Sequence, residues 1–242
     1  LQGPGPFTVF APTDAAFAAI PADRIAFLLD PANVGALQSV LLYHVAGGAV
    51  PSSQVLGDGF VDTVQGQRID VTASPAGAFV DGSRLIFTDI VTSNGVIHVI
   101  DRVMIPNFLD IPSTAGNAGV FNTLLAAVDA ADLTAALQGP GPFTVLAPTD
   151  AAFGKLPPGT VANLLLPQNK QQLVDILTYH VIPLKAYSEQ ALTAGTVSTL
   201  QGDTVTFTTS GGDLFVEGVL ILQADLDASN GVIHVIDEVL IP

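Results

Sequence analysis

The sequence predicts an α+β fold built twice, and three observations predict it. The stretch Phe7-Thr-Val-Phe-Ala-Pro-Thr-Asp-Ala-Ala-Phe17 returns as Phe143-Thr-Val-Leu-Ala-Pro-Thr-Asp-Ala-Ala-Phe153, 136 residues on. Tyr43-His44-Val45 returns as Tyr179-His180-Val181, and Asn94-Gly-Val-Ile-His-Val-Ile-Asp101 as Asn230–Asp237, both at that same offset. One spacing for three landmarks means a gapless tandem duplication, with a period the size of a domain and too long for a solenoid. Within each copy, helical periodicity comes first and a run of alternating strands follows, the order of an α+β domain rather than of a parallel βαβ sheet.

Taken in order, Phe7–Ala11 predicts a short strand, and Pro12-Thr13-Asp14 a helix start whose side-chain oxygen accepts from the first amides. Residues 22–29 predict a second helix. Asp30-Pro31 opens a third, running to Tyr43, since proline is tolerated where its missing amide would have no partner. After Val45 the period alternates, with strands over 60–64, 68–72, 78–80, 84–90 and 96–105 and turns at 64–67 and 93–95. The second copy repeats the plan. It is preceded by residues 120–137, where Val120, Leu124, Leu125, Val128 and Leu133 recur at helical spacing. The expected division is residues 1–106, a Pro- and Gly-rich linker at 107–118, and residues 119–242.

The first copy lacks that leading helix. The chain is cut there, or the segment is disordered, or another chain supplies it. A neighbouring chain or an upstream segment filling the exposed groove would suit end-to-end assembly, because such contacts need not close on themselves. Pro242 matches Pro106, so a longer array is expected.

Two domains suit the length, each large enough to bury a core without staples. There is no cysteine, hence no disulfide framework and no thiol chemistry. The net charge is −15, with four basic against ten acidic residues in 1–116 and three against twelve in 117–242. Without a basic cluster, nucleic acid is excluded as a partner and anionic membranes are disfavoured. No apolar run is long enough to span a bilayer, so direct membrane insertion is not expected.

The four histidines form two equivalent pairs, His44 with His180 and His98 with His234. A histidine base would need a nucleophile or metal partner that the sequence does not supply, so all four are expected to be structural, and no catalytic residue, cofactor or metal ligand is assigned. Asp14 and Asp150 are expected to cap, and Asp101 and Asp237 to bond backbone amides or face solvent. Asp225-Leu-Asp227-Ala-Ser-Asn230 comes nearest to a calcium loop but lacks the full alternating pattern and its distal glutamate. The glycines of Gly3-Pro-Gly5 and Gly139-Pro-Gly141 make turns, not a phosphate cradle.

The boxes at Phe7–Phe17 and Phe143–Phe153, the Tyr-His pairs, and the boxes at Asn94–Pro106 and Asn230–Pro242 resemble those of the fasciclin (FAS1) domain family. The resemblance implies two tandem fasciclin-like domains, each a β-sandwich or wedge of strands with several short helices packed against it. It implies a secreted or cell-surface protein, non-enzymatic, serving adhesion or matrix and filament assembly, with other chains, cell-surface or matrix components and further copies of itself as partners. The adhesion contacts it implies are Tyr43, His44, Asp89, Ile90, Tyr179, His180, Asp225 and Leu226; Leu226 departs from the Asp-Ile pattern. Some algal members suggest an alternative, a carrier of an apolar carotenoid or lipid-like molecule in a groove between helices and strands.

Overall fold

The computed structural model describes residues 3–242. They form two compact units that divide between Asn107 and Phe108. In the first, strand β1 (Phe7–Pro12) leads to helices α1 (Asp14–Ala18), α2 (Ala22–Leu29) and α3 (Val34–Tyr43). Strand β2 (Val45–Gly47) and helix α4 (Ser52–Asp58) follow. Five strands complete the unit: β3 (Phe60–Asp62), β4 (Arg68–Ser74), β5 (Gly77–Val80), β6 (Ser83–Thr92) and β7 (Gly95–Ile100).

The second unit opens with helices α5 (Ile111–Ala118), α6 (Asn122–Ala130) and α7 (Thr134–Leu137). It then repeats the first plan through β8 (Phe143–Pro148), α8 (Asp150–Gly154), α9 (Thr160–Leu164), α10 (Lys170–Tyr179), β9 (Val181–Ile182) and α11 (Ser188–Ala194). Strands β10 (Thr196–Ser198), β11 (Thr204–Ser210), β12 (Asp213–Val216), β13 (Val219–Ala228) and β14 (Gly231–Ile236) end it.

Each unit carries one seven-stranded sheet, ordered β2-β1-β7-β6-β5-β4-β3 and β10-β11-β12-β13-β14-β8-β9. All pairs are antiparallel but one in each, β1 with β7 and β8 with β14, where the first strand of a unit lies parallel to its last. The parallel pair needs a close approach. A Cβ on Gly95 would stand 2.0 Å from the Phe7 carbonyl oxygen, and one on Gly231 2.1 Å from that of Phe143. The sheet curls until its ends meet: Ala46 bridges Thr63, and the Val64 N–H donates to the Val45 carbonyl at 2.7 Å.

Several sequence-based expectations are corrected. Residues 107–118 are not an irregular linker. Asp110 caps α5 by accepting from the Ser113 N–H at 2.8 Å, and Ile111 and Ala115 are buried in the second unit's core. The single helix expected over 120–137 is two helices, broken where Asp132 takes φ +57°. The strand expected to reach residue 105 stops at Ile100, and helices α4 and α11, short and flanked by strands, were not expected.

The sheet has two apolar faces. One packs the same way in both units: Phe10, Tyr43, Val55, Ile69, Val80, Ile100 and Met104 in the first match Leu146, Tyr179, Ala191, Val205, Val216, Ile236 and Leu240 in the second. The opposite face is buried in the second unit, where α5–α7 and α10 bury Val145, Ala147, Ile233 and Val235, and among the described residues of the first unit it is half-buried. Accordingly all six residues of β14 are buried, whereas β7, with the identical sequence Gly-Val-Ile-His-Val-Ile, buries only His98 and Ile100.

Candidate functional site

The repeated polar residues converge on a bulge in the strand before the last. Register shifts in β6 between Leu85 and Ile90 force Asp89 to φ +59°, and β13 repeats this at Asp225, φ +62°. Aspartate tolerates this left-handed conformation better than most side chains. The turned backbone aims the Asp89 N–H at His98 Nδ1 (3.2 Å) and its carboxylate at the start of α4, where Oδ1 accepts from the Ser52 N–H (2.8 Å) and Oδ2 from the Ser52 hydroxyl. Asp225 meets Ser188 of α11 and His234 likewise. The Ser52 donors hold the Asp89 carboxyl below its ordinary range.

Each histidine bridges one backbone acceptor and one backbone donor, which fixes its tautomer. His44 Nδ1–H donates to the Val40 carbonyl (2.7 Å), and Nε2 accepts from the Met104 N–H (3.0 Å). His180 does the same with Ile176 (2.8 Å) and Leu240 (3.0 Å). His98 and His234 use the other tautomer, Nε2–H donating to Val50 and Ala186 carbonyls at 3.0 Å while Nδ1 accepts the bulge amide. Burial lowers the pKa of His44 and His234, and pushes His180 down to about 4. A ring with both nitrogens committed to backbone is a brace, not an available base.

Tyr43 and Tyr179 are likewise interior, 4% and 7% exposed, with hydroxyls on the Arg68 (2.6 Å) and Thr204 (3.3 Å) carbonyls. The expected Tyr-His contacts, Tyr43, His44, Tyr179 and His180, are therefore buried, with His44 lining an open groove of the first unit. Asp89 and Ile90 are exposed, as are Phe87 (64%) and Val91 (80%) on the same strand. In the second unit Asp225 and Leu226 are half-buried, Leu226 packing against the core that α5 helps to close.

The oxygens of the calcium-like stretch are engaged by protein donors. Asp227 Oδ1 receives Lys185 Nζ (2.5 Å) and the Tyr187 hydroxyl (2.7 Å), and Asp225 receives Ser188. Asn230 is a clamp: Oδ1 accepts from the Ile111 N–H (2.9 Å), and Nδ2 donates to the Leu137 and Gly139 carbonyls (2.7 Å each), tying both ends of α5–α7. Asp101 and Asp237 accept from the strand amides of Arg84 and Leu220.

Thr13 and Thr149, not the aspartates beside them, cap α1 and α8, accepting from Ala16 and Ala152. Asp150 instead caps α6, accepting from the Thr123 N–H (2.7 Å) and from Asn122. The Thr123 amide draws its carboxyl below the ordinary range. Asp14 is exposed, and its carboxylate accepts no hydrogen bond from any described residue.

Attention to histidine and aspartate missed the buried threonines. Thr8 Oγ1 donates to Gly48 O and accepts from Val50 N, and Thr144 does so with Leu184 and Ala186. Their signal was recurrence at the 136-residue offset, shared with Ser52 and Ser188.

The first unit also holds an open apolar groove of about 740 Å³. Val9, Phe17, Leu29, Leu37, Leu41 and Val45 are among the residues lining it. The corresponding space in the second unit is an 80 Å³ cavity beneath α5–α7.

The fasciclin domain family model matches residues 1–106 and 119–242. The Synechocystis protein sll1483 is 49% identical over 144 residues, covering 60% of this chain and 79% of that relative. The transforming growth factor-beta-induced protein ig-h3 of Sus scrofa is 35% identical over 246 residues, and human periostin 29% identical over 244. Both alignments cover the whole of this chain, which spans only 35% of ig-h3 and 29% of periostin. A solved FAS1 domain pair from the insect cell adhesion molecule fasciclin I aligns with a TM-score of 0.54 over 98% of this chain and 88% of that one. At 17% sequence identity this likeness is one of fold.

Proposed function

From the premise that this chain belongs to the fasciclin domain family, we propose that it is a non-enzymatic adhesion or matrix-assembly module, acting outside the cell or at its surface on other protein chains. The observation that carries the reading is the employment of the repeated polar side chains. All four histidines, and Asp89 and Asp225 with them, are bound to backbone groups that hold helix, bulge and final strand together. Using any of them in bond-making would first dismantle the fold. Phe87, Asp89, Ile90 and Val91 of β6 are all exposed, on alternating faces of the strand. Exposed apolar side chains grouped beside a charge are the composition of a contact surface. Asp225 and Leu226 offer a narrower version in the second unit.

Beads coated with the protein are expected to adhere to cells or to one another, and beads coated with an Ile90→Lys, Val91→Lys double variant to lose most of that adhesion with an unchanged melting curve. Undiminished adhesion by the variant would take the contact away from β6. Failure to adhere above albumin-coated beads, with a hydrolytic turnover abolished by His44→Ala, would overturn the proposal.

A further inference from the structure

The second unit's core is not fully filled. A cavity of about 80 Å³ lies among α5–α7, α10 and strands β8 and β14. Two small side chains account for it. Ala115 of α5 and Ala147 of β8 are buried and both line the void, where a longer aliphatic chain from either element would take up the space. Leu124, Val128, Leu177 and Ile233 surround it, each held in the core by its other neighbours, so the walls do not collapse inward.

The chemistry of the walls is one-sided. No polar atom faces the void. Its two polar lining residues are engaged elsewhere: Thr178 Oγ1 donates to the Val174 carbonyl at 2.7 Å, and both His180 ring nitrogens are bonded, to the Ile176 carbonyl and the Leu240 amide. Water in this space would lack the two to four polar partners that hold buried water, and apolar space of that kind stays dry and accepts apolar guests.

We propose that this cavity is a binding site for a small uncharged apolar molecule, a dissolved gas or hydrocarbon of about three or four heavy atoms. Size sets the class. A dry cavity of about 150 Å³ takes benzene or xenon, and this one has roughly half that room. Pockets for larger ligands run to about 300 Å³ or more, so neither a pigment nor a whole acyl chain fits. Access is short. Leu200, 47% exposed, and the exposed Ala136 both line the cavity, so its wall reaches the surface and a guest enters by moving side chains rather than by parting the sheet. Asp225 and Leu226 do not line it, and the site is therefore separate from the proposed adhesion contacts.

The test is titration of the full chain with cyclopropane, followed by methyl-resolved NMR. Saturable shifts are expected at the methyls of Leu124, Val128, Val145, Leu177 and Ile233, with a dissociation constant of about 1 mM or weaker for so few atoms. Ala147→Leu and Ala115→Leu, which fill the void, are each expected to weaken this response about tenfold or more in a chain that still melts cooperatively. Leu124→Ala is expected to admit benzene at the same methyls, which the unaltered site refuses. No saturable shift at these methyls would overturn the proposal, as would a response unchanged in the folded Ala147→Leu and Ala115→Leu variants. Nuclear Overhauser effects from long-lived water to these methyls would overturn the dry site. One-to-one binding of decane there would overturn the size limit and assign the site to extended chains instead.

Discussion

His180 shows how one side chain ties secondary structure to fold. It ends α10, and its ring spans from the Ile176 carbonyl to the Leu240 amide, 60 residues on. A protonated ring would present a second N–H to the Leu240 N–H, and burial disfavours the charge as well. Its folded pKa of about 4, against 6.5 unfolded, means that the unfolded chain takes up the proton first. Stability from this residue is therefore full above pH 6.5 and is lost as pH falls toward 4, by roughly 3 kcal/mol in all. His44 and His234, also lowered, act in the same direction. Denaturant midpoints across pH 7.5 to 4 are expected to fall with acid, and a His180→Ala variant to lose about 2 kcal/mol or more at neutral pH with a shallower acid dependence. The structural expectation for the histidines came from the place of His98 among Val and Ile, from the duplication of each histidine, and from the lack of a nucleophile or metal partner in the sequence. Which tautomer each holds was not legible, because the backbone partners come from segments distant in sequence.

At the scale of elements, identical sequence has unequal work. Asp150 caps α6, so Asp150→Ala is expected to cost about 1–2 kcal/mol in the second unit, whereas Asp14→Ala in the first is expected to stay within about 0.5 kcal/mol. Urea melts of the two variants check this. The parallel pairing of β8 with β14 rests on Gly231, where a methyl group would enter the Phe143 carbonyl. Gly231→Ala is expected to cost about 2–4 kcal/mol by prying the strands apart, measured in the same melts. Sequence placed α2, α3 and most strands correctly, because apolar periodicity decides them locally. It misread residues 107–118 as a linker, since Pro, Gly and Ser are turn formers and only burial of Ile111 and Ala115 against a remote sheet makes them a helix.

At the scale of the whole molecule, the second unit buries both faces of its sheet, whereas the described residues of the first leave one face half-buried. Amides of α3 are expected to exchange with deuterium about tenfold faster or more than those of α10, because local opening there exposes little that is not already exposed. Similar protection in the two helices would contradict the packing described above.

The sequence by itself determined the duplication, the α+β class, the family and the structural reading of the repeated histidines. These follow from spacing and periodicity, which are written along the chain. Only the tertiary structure decided that Tyr43 and His44 are interior and Asp89 and Ile90 exterior. It alone showed that Asp150 and Asp14 differ in partners and that the identical strands β7 and β14 are buried to different degrees. Burial and hydrogen bonding depend on what segments far apart in sequence bring to the same place, and no local pattern records that.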